Sequence, residues 1–154
     1  MLEHRGWLAG ARVLDLYAGS GALGIEALSR GARAVVFVEA AASVVRTLRD
    51  NLAVSGFAER AEVMPTSAER ALRALERRGV RADGVIADPP YGRGCVQRLV
   101  DELAAGEVLG QAGWLALEHA ADETPEPRTG LVAVARRRHG GTALTLFRRP
   151  EPVA

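Results

Sequence analysis

The sequence predicts an α/β fold with a largely parallel sheet, helices on both faces and a terminal β-hairpin. Short apolar runs alternate with segments of helical period along most of the chain. A glycine-rich turn, Gly19-Ser20-Gly21-Ala22-Leu23-Gly24, directly follows the first apolar run. The last two β-rich runs flank a glycine turn, His139-Gly140-Gly141.

Residues 12–17 form a short apolar run ending in glycines, which predicts a buried strand. Residues 21–30 place Leu23, Ala27 and Leu28 at helical positions, and Gly31 stops that helix. Residues 34–38 are β-branched and continuous, a second buried strand that ends at Glu39. Val44, Val45, Leu48 and Leu52 define a helix over residues 42–54, terminated by Gly56. Residues 62–64 are a weak third strand. Residues 67–78 read as a helix with Ser67 as N-cap and Gly79 as stop. Residues 83–88 are a fourth strand, ended by Pro89-Pro90, and residues 95–105 return to helical spacing. Residues 114–118 are a fifth strand, and residues 124–130 are loop-like. Residues 131–137 and 142–147 make the hairpin. With no repeat and no linker, residues 1–154 read as one domain.

Composition narrows the function. The chain has 48% hydrophobic and 25% charged residues, the mix of a globular protein rather than a disordered one. Its 20 basic and 19 acidic residues lack the bulk charge of a nucleic-acid binder. Every basic residue is Arg, which excludes Schiff-base chemistry and a Walker phosphate loop. One cysteine excludes a disulfide framework and a multi-cysteine zinc site, and no His/Asp/Glu cluster has metal-ligand spacing. No apolar run nears the ~18 residues of a membrane span, and the N-terminus does not read as a signal peptide. A cytoplasmic protein without membrane contact is expected, with a monomer favoured.

Ligands of such sheets bind beyond the carboxyl ends of the strands, where strand order reverses. The glycine turn sits at such an end and fits G-x-G-x-x-G between a strand and a helix. Glu39 closes the next strand, where an acid can take two ribose hydroxyls. Together these point to a nucleoside cofactor without naming it. Asp15 lies within the first strand, near its end. A carboxylate there repels a pyrophosphate and attracts a cationic amino-acid group. The charge therefore favours S-adenosylmethionine over a nicotinamide dinucleotide.

The second candidate site is Asp88-Pro89-Pro90-Tyr91, at the end of the fourth strand. The prolines fix φ and remove two backbone donors. What remains is a row of oxygen acceptors followed by an aromatic ring. That set suits a planar base bearing an exocyclic amine: the ring stacks, and the oxygens take the amine hydrogens. Such an amine is a poor nucleophile because its lone pair is delocalised. Acceptors holding its hydrogens pull the nitrogen toward tetrahedral geometry and stabilise the charge that builds during methyl transfer.

The run from Asp15 to Ala32, together with Phe37-Val38-Glu39 and Ala87-Asp88-Pro89-Pro90-Tyr91, resembles the RsmD family. These are methyltransferases of guanine N2 in 16S ribosomal RNA. The similarity runs from about Gly10 to Arg149. The second motif is also shared with DNA adenine-N6 and other amino-methyltransferases. The resemblance implies a class I methyltransferase domain, Rossmann-like, whose seven-stranded sheet has an antiparallel last strand. It implies S-adenosyl-L-methionine as cofactor and 16S ribosomal RNA, within a small-subunit particle, as partner. Asp15, Gly19 and Gly21 would line the methionine end of the cofactor and Glu39 its ribose. Tyr17, Ala18 and Ser20 complete the cofactor loop, with Asp88 at its edge. Asp88, Pro89, Pro90 and Tyr91 are the catalytic candidates, holding the guanine.

Two departures stand out. Many family members carry an acid after the third strand to meet the adenine amine; here Ser67 stands there, and either its hydroxyl or the backbone accepts that hydrogen bond, or Ser67 only caps its helix. Family members also begin with a basic, RNA-contacting segment that this sequence is expected to lack. A non-catalytic cofactor-binding module therefore remains an alternative.

Other residues divide between packing and surface. Arg136, Arg137, Arg138, Arg148 and Arg149 either meet phosphates or form a solvated hairpin end. Cys95, Trp7 and Trp114 are expected to pack, His119 to be hydrogen-bonded at the sheet end, and His4 and His139 to lie at the surface.

Overall fold

The computed structural model describes residues 6–153, so His4 lies outside the described residues. The elements are β1 (Arg12–Leu16), α1 (Ala22–Ser29), β2 (Ala34–Val38), α2 (Ala42–Ser55), β3 (Ala61–Met64), α3 (Ala68–Arg77), β4 (Ala82–Ala87), α4 (Cys95–Ala105), β5 (Leu109–Ala120), β6 (Val132–His139) and β7 (Thr142–Arg148). They build one seven-stranded sheet in the order β3-β2-β1-β4-β5-β7-β6. β1 to β5 pair in parallel, and β7 inserts antiparallel between β5 and β6. The chain runs outward through β2 and β3, then returns to start β4 beside β1. Strand order therefore reverses between β1 and β4, which opens a crevice there.

Strand parity divides the core in two. Leu14 and Leu16 of β1, with Val85 and Ala87 of β4, pack on Ala71 and Leu75 of α3 and Leu99 and Leu103 of α4. Val13 and Phe37 face the other way, onto Ala27 and Leu28 of α1 and Leu48 and Leu52 of α2. Each fully buried leucine contributes roughly 1.5–3 kcal/mol. The predicted glycine stops are also present: Gly56 caps α2 at φ 78° and Gly79 follows α3 at φ 68°.

β5 is longer than residues 114–118. It begins at Leu109, pairs there with Ala82, and resumes at Trp114 opposite Gly84 after a register shift. Ala112, at φ 58°, lies within that irregularity. Gly84 is required by the neighbouring indole, because a Cβ at that position would lie 2.1 Å from Trp114 Cε2. Trp114 in turn stacks on Trp7, with centroids 6.2 Å apart.

Arg149 fulfils neither expectation for it. Its guanidinium donates to the carbonyls of Leu103, Ala104 and Gly106, groups left open at the end of α4, and to Leu109 O at the start of β5. Arg148 lies over the Trp7 ring at 5.0 Å.

Candidate active site

The loop after β1 is held on three sides. Ala18 N–H donates to Val38 O, Gly21 N–H to Ala18 O, and Asn51 Nδ2 of α2 to Ser20 O, each at 2.9 Å. Tyr17 sits at φ 59°, a left-handed conformation that costs a non-glycine residue energy and that its surroundings must impose. The Tyr17 side chain packs against the α3/α4 core, where burial, with lesser help from Glu69, pushes its hydroxyl up to about 12. It is the Tyr17 backbone, not the ring, that shapes the turn.

The three glycines have different tasks. A Cβ on Gly24 would lie 2.3 Å from Phe37 Cε1 and 2.8 Å from Asp15 Oδ2, and one on Gly21 would lie 2.3 Å from Leu48 Cδ1. These two let α1 settle onto the sheet. Gly19, at φ 57°, has no atom within 4 Å of where its Cβ would be, so the loop leaves open space above its tip. A ligand can approach the backbone there.

Glu39 braces the same loop. Its Oε1 accepts from Gly19 N–H and its Oε2 from Ala41 N–H, both at 2.9 Å. Each carboxylate oxygen retains further acceptor capacity for hydroxyls. Asp15 is 2% exposed, and its Oδ2 accepts from Gly24 N–H at 2.9 Å. Burial pushes the Asp15 carboxyl from 3.8 up to about 7, and the charges of Asp88 and Glu39 add to this against the Gly24 hydrogen bond.

That shift has a consequence for stability. The folded chain holds a proton on Asp15 that the unfolded chain releases near pH 4, so stability falls as pH rises from there to about 7. Asp88, Glu102 and Glu118 are raised by burial and act in the same direction. Urea midpoints at pH 5 and pH 8 should show the chain more stable at the lower value, with a smaller difference in Asp15→Asn.

The second motif stands beside the first. Leu16 pairs with Ala87, so the residues that follow each strand are lateral neighbours. Pro89 is buried, whereas Asp88, Pro90 and Tyr91 are exposed. Partial loss of solvent raises the Asp88 carboxyl, and the same effect, with the charges of Asp88 and Glu118, raises the Tyr91 hydroxyl. The structure thus groups Asp15, Glu39, Asp88 and Tyr91 with Glu118, which sequence reasoning did not single out. Asn51 was also missed; nothing in its sequence context announces a bond to a loop 31 residues away.

Ser67 caps α3, its hydroxyl accepting from Arg70 N–H at 3.3 Å. His119 is fully buried; its Nδ1 donates to Ala120 O at 2.8 Å, so Nε2 accepts from the Thr145 hydroxyl at 2.7 Å. Among the described residues no group of His, Cys, Asp and Glu is placed to hold a metal, and no helix is long and apolar enough to cross a membrane.

A parallel sheet wound both ways from β1 and β4, finished by an inserted antiparallel strand, defines the fold of the class I methyltransferases, which are S-adenosylmethionine-dependent. The solved structure of yhhF from Escherichia coli, provisionally described as a methyltransferase, superimposes with a TM-score of 0.81 at 29% identity, covering 94% of this chain and 78% of that one. The chain belongs to the family described as conserved hypothetical protein 95, the RsmD family, whose model matches residues 1–148. YlbH of Bacillus subtilis, provisionally named an rRNA methyltransferase, is 35% identical over 141 residues, 91% of this chain and 77% of that protein. Ribosomal RNA small subunit methyltransferase D of Escherichia coli is 36% identical over 132 residues, 83% of this chain. The match spans 62% of that relative's length.

Proposed function

We propose that the chain is a single methyltransferase domain that transfers a methyl group from S-adenosylmethionine to the N2 amine of a guanine in 16S ribosomal RNA, in the cytoplasm and within a small-subunit particle. One observation carries this reading: the glycine loop after β1 and Asp88-Pro89-Pro90-Tyr91 after β4 are lateral neighbours at the strand-order switch.

The residues present fit the cofactor. Asp15, Gly19 and Gly21 would hold its amino-acid end, with Tyr17, Ala18 and Ser20 shaping the loop, Glu39 taking the ribose and Ser67 near the adenine. When bound, the cofactor supplies an electrophilic methyl on a sulfonium. Asp88 and the carbonyls of Pro89 and Pro90 accept the amine hydrogens and free the nitrogen lone pair. Tyr91, 53% exposed, offers a face on which the base stacks. The same oxygens stabilise the positive charge that builds on nitrogen as the methyl–sulfur bond breaks, and Asp88 accepts the proton that the methylated amine then loses and passes it to solvent. Holding donor and acceptor in line supplies much of the remaining rate.

Glu39→Ala should weaken cofactor binding by removing both the ribose contact and the brace on Gly19. Calorimetry with S-adenosylhomocysteine reads this; unchanged affinity would reject the assignment. The reading as a whole is tested by label transfer from S-adenosylmethionine to undermodified small ribosomal subunits, naked 16S RNA and duplex DNA, followed by mapping. Label on a guanine of the ribosomal RNA supports it. Label in DNA alone would assign a DNA enzyme, and cofactor binding without transfer a non-catalytic module.

A further inference from the structure

We propose that Glu118 is a specificity-determining residue that reads the Watson–Crick edge of the target base and selects guanine. This rests on the methyl-transfer reading above and names what that site recognises. Strand parity places Glu118. Trp114 and Ala116 of β5 face the α1 side of the sheet, and Glu118 continues that alternation. Ile86 of β4 faces the same side, and Asp88 comes directly after that strand. Ala87 pairs with Leu117, which sets Asp88 and Glu118 beside each other at the carboxyl ends of adjacent strands. Glu118 lines a cleft of ≈ 250 Å³ whose walls include Leu23, Ile86, Ala87, Ala116 and Leu144. Arg30, also on that cleft, is ion-paired with Glu26 at 2.6 Å.

Glu118 has no structural task that would account for it. Among the described residues its side chain makes no hydrogen bond or ion pair, and neither does that of Asp88. Two carboxylates without a side-chain partner thus lie at adjacent strand ends, and Glu118 opens onto a largely apolar cleft. Burial and the Asp88 charge both raise the Glu118 carboxyl, a tension that a pair of donors would relieve.

Guanine offers that pair. Its N1–H and one N2–H point the same way and match the two oxygens of a carboxylate. Adenine presents an N1 lone pair beside its amine, and cytosine an N3 lone pair, so a carboxylate repels both edges. With Glu118 holding N1–H and one N2–H, Asp88 takes the other N2–H, and the nitrogen lone pair is left facing the methyl donor. The division of labour favours guanine N2 over adenine N6.

The test compares small-subunit particles reconstituted around 16S RNA that carries the mapped target nucleotide as guanine or as 2-aminopurine, which keeps the N2 amine but has a lone pair at N1. The wild-type chain should favour guanine in kcat/KM by roughly 10- to 100-fold. Glu118→Gln should lose on guanine and gain on 2-aminopurine, bringing the ratio to about one or below. Its amide donates to N1 where the carboxylate repelled it. Glu118→Asp should be slower yet keep the guanine preference. Calorimetry with S-adenosylhomocysteine checks that both variants remain folded. An unchanged ratio in Glu118→Gln, with both substrates slowed equally, would overturn the proposal, as would a wild-type chain without preference. No wild-type transfer to either RNA would remove the methyltransferase reading and this inference with it.

Discussion

Asp88→Ala is expected to reduce methyl transfer by at least roughly 10²- to 10³-fold, the scale seen when one preorganised polar group at a reacting centre is removed. Cofactor affinity should change little, because Glu39 and the glycine loop carry that binding in our reading. Stability should not fall either. Asp88 is exposed, its side chain forms no hydrogen bond or ion pair among the described residues, and its charge burdens Asp15 and Glu118. A thermal melt should therefore match or slightly exceed the wild type. Single-turnover label transfer and calorimetry, run on the same preparation, separate these effects. Wild-type turnover in this variant would show that the acceptor role belongs elsewhere.

Gly24→Ala should have the largest effect on stability, about 1–3 kcal/mol by urea denaturation, because overpacked cores relax only partly. The added Cβ would sit 2.3 Å from the Phe37 ring and 2.8 Å from Asp15 Oδ2, so α1 must lift or the ring must shift. Gly19→Ala makes the informative contrast. It meets no atom within 4 Å, and its cost is the backbone strain of φ 57°. Its Cβ would occupy the open space above the loop, so it should weaken S-adenosylhomocysteine binding more than it lowers stability. If the two variants showed the same pattern, the separation of packing glycines from the ligand-facing one would fail.

Much of this arrangement was legible before any coordinates. The β-branched run at residues 34–38, the helical spacing of Val45, Leu48 and Leu52, and the glycines at 56 and 79 reported their elements because periodicity and φ preferences are local properties. The glycine loop and the proline motif were visible for the same reason. What escaped depended on neighbours distant in sequence. The first half of β5 is poor in β-formers and is strand only because β4 lies alongside, with Ala82 N–H donating to Val108 O at 2.7 Å. Arg149 could be placed only once the end of α4 was known. Glu118 was within reach: alternation along residues 114–118 already put it on the face of Trp114 and Ala116. Its pairing with Asp88 needed the strand order, which no local pattern states.

The claim on which everything turns is that a sulfonium nucleoside and an amino-bearing base occupy adjacent strand ends. The most direct measurement is a crystal structure of this chain with S-adenosylhomocysteine. The account predicts the ribose on Glu39, the amino-acid end over Gly19 and near Asp15, and the sulfur facing Asp88 and Pro89. A ligand bound with its sulfur turned away from Asp88-Pro89-Pro90-Tyr91, too far for a base held there to reach the methyl, would contradict it.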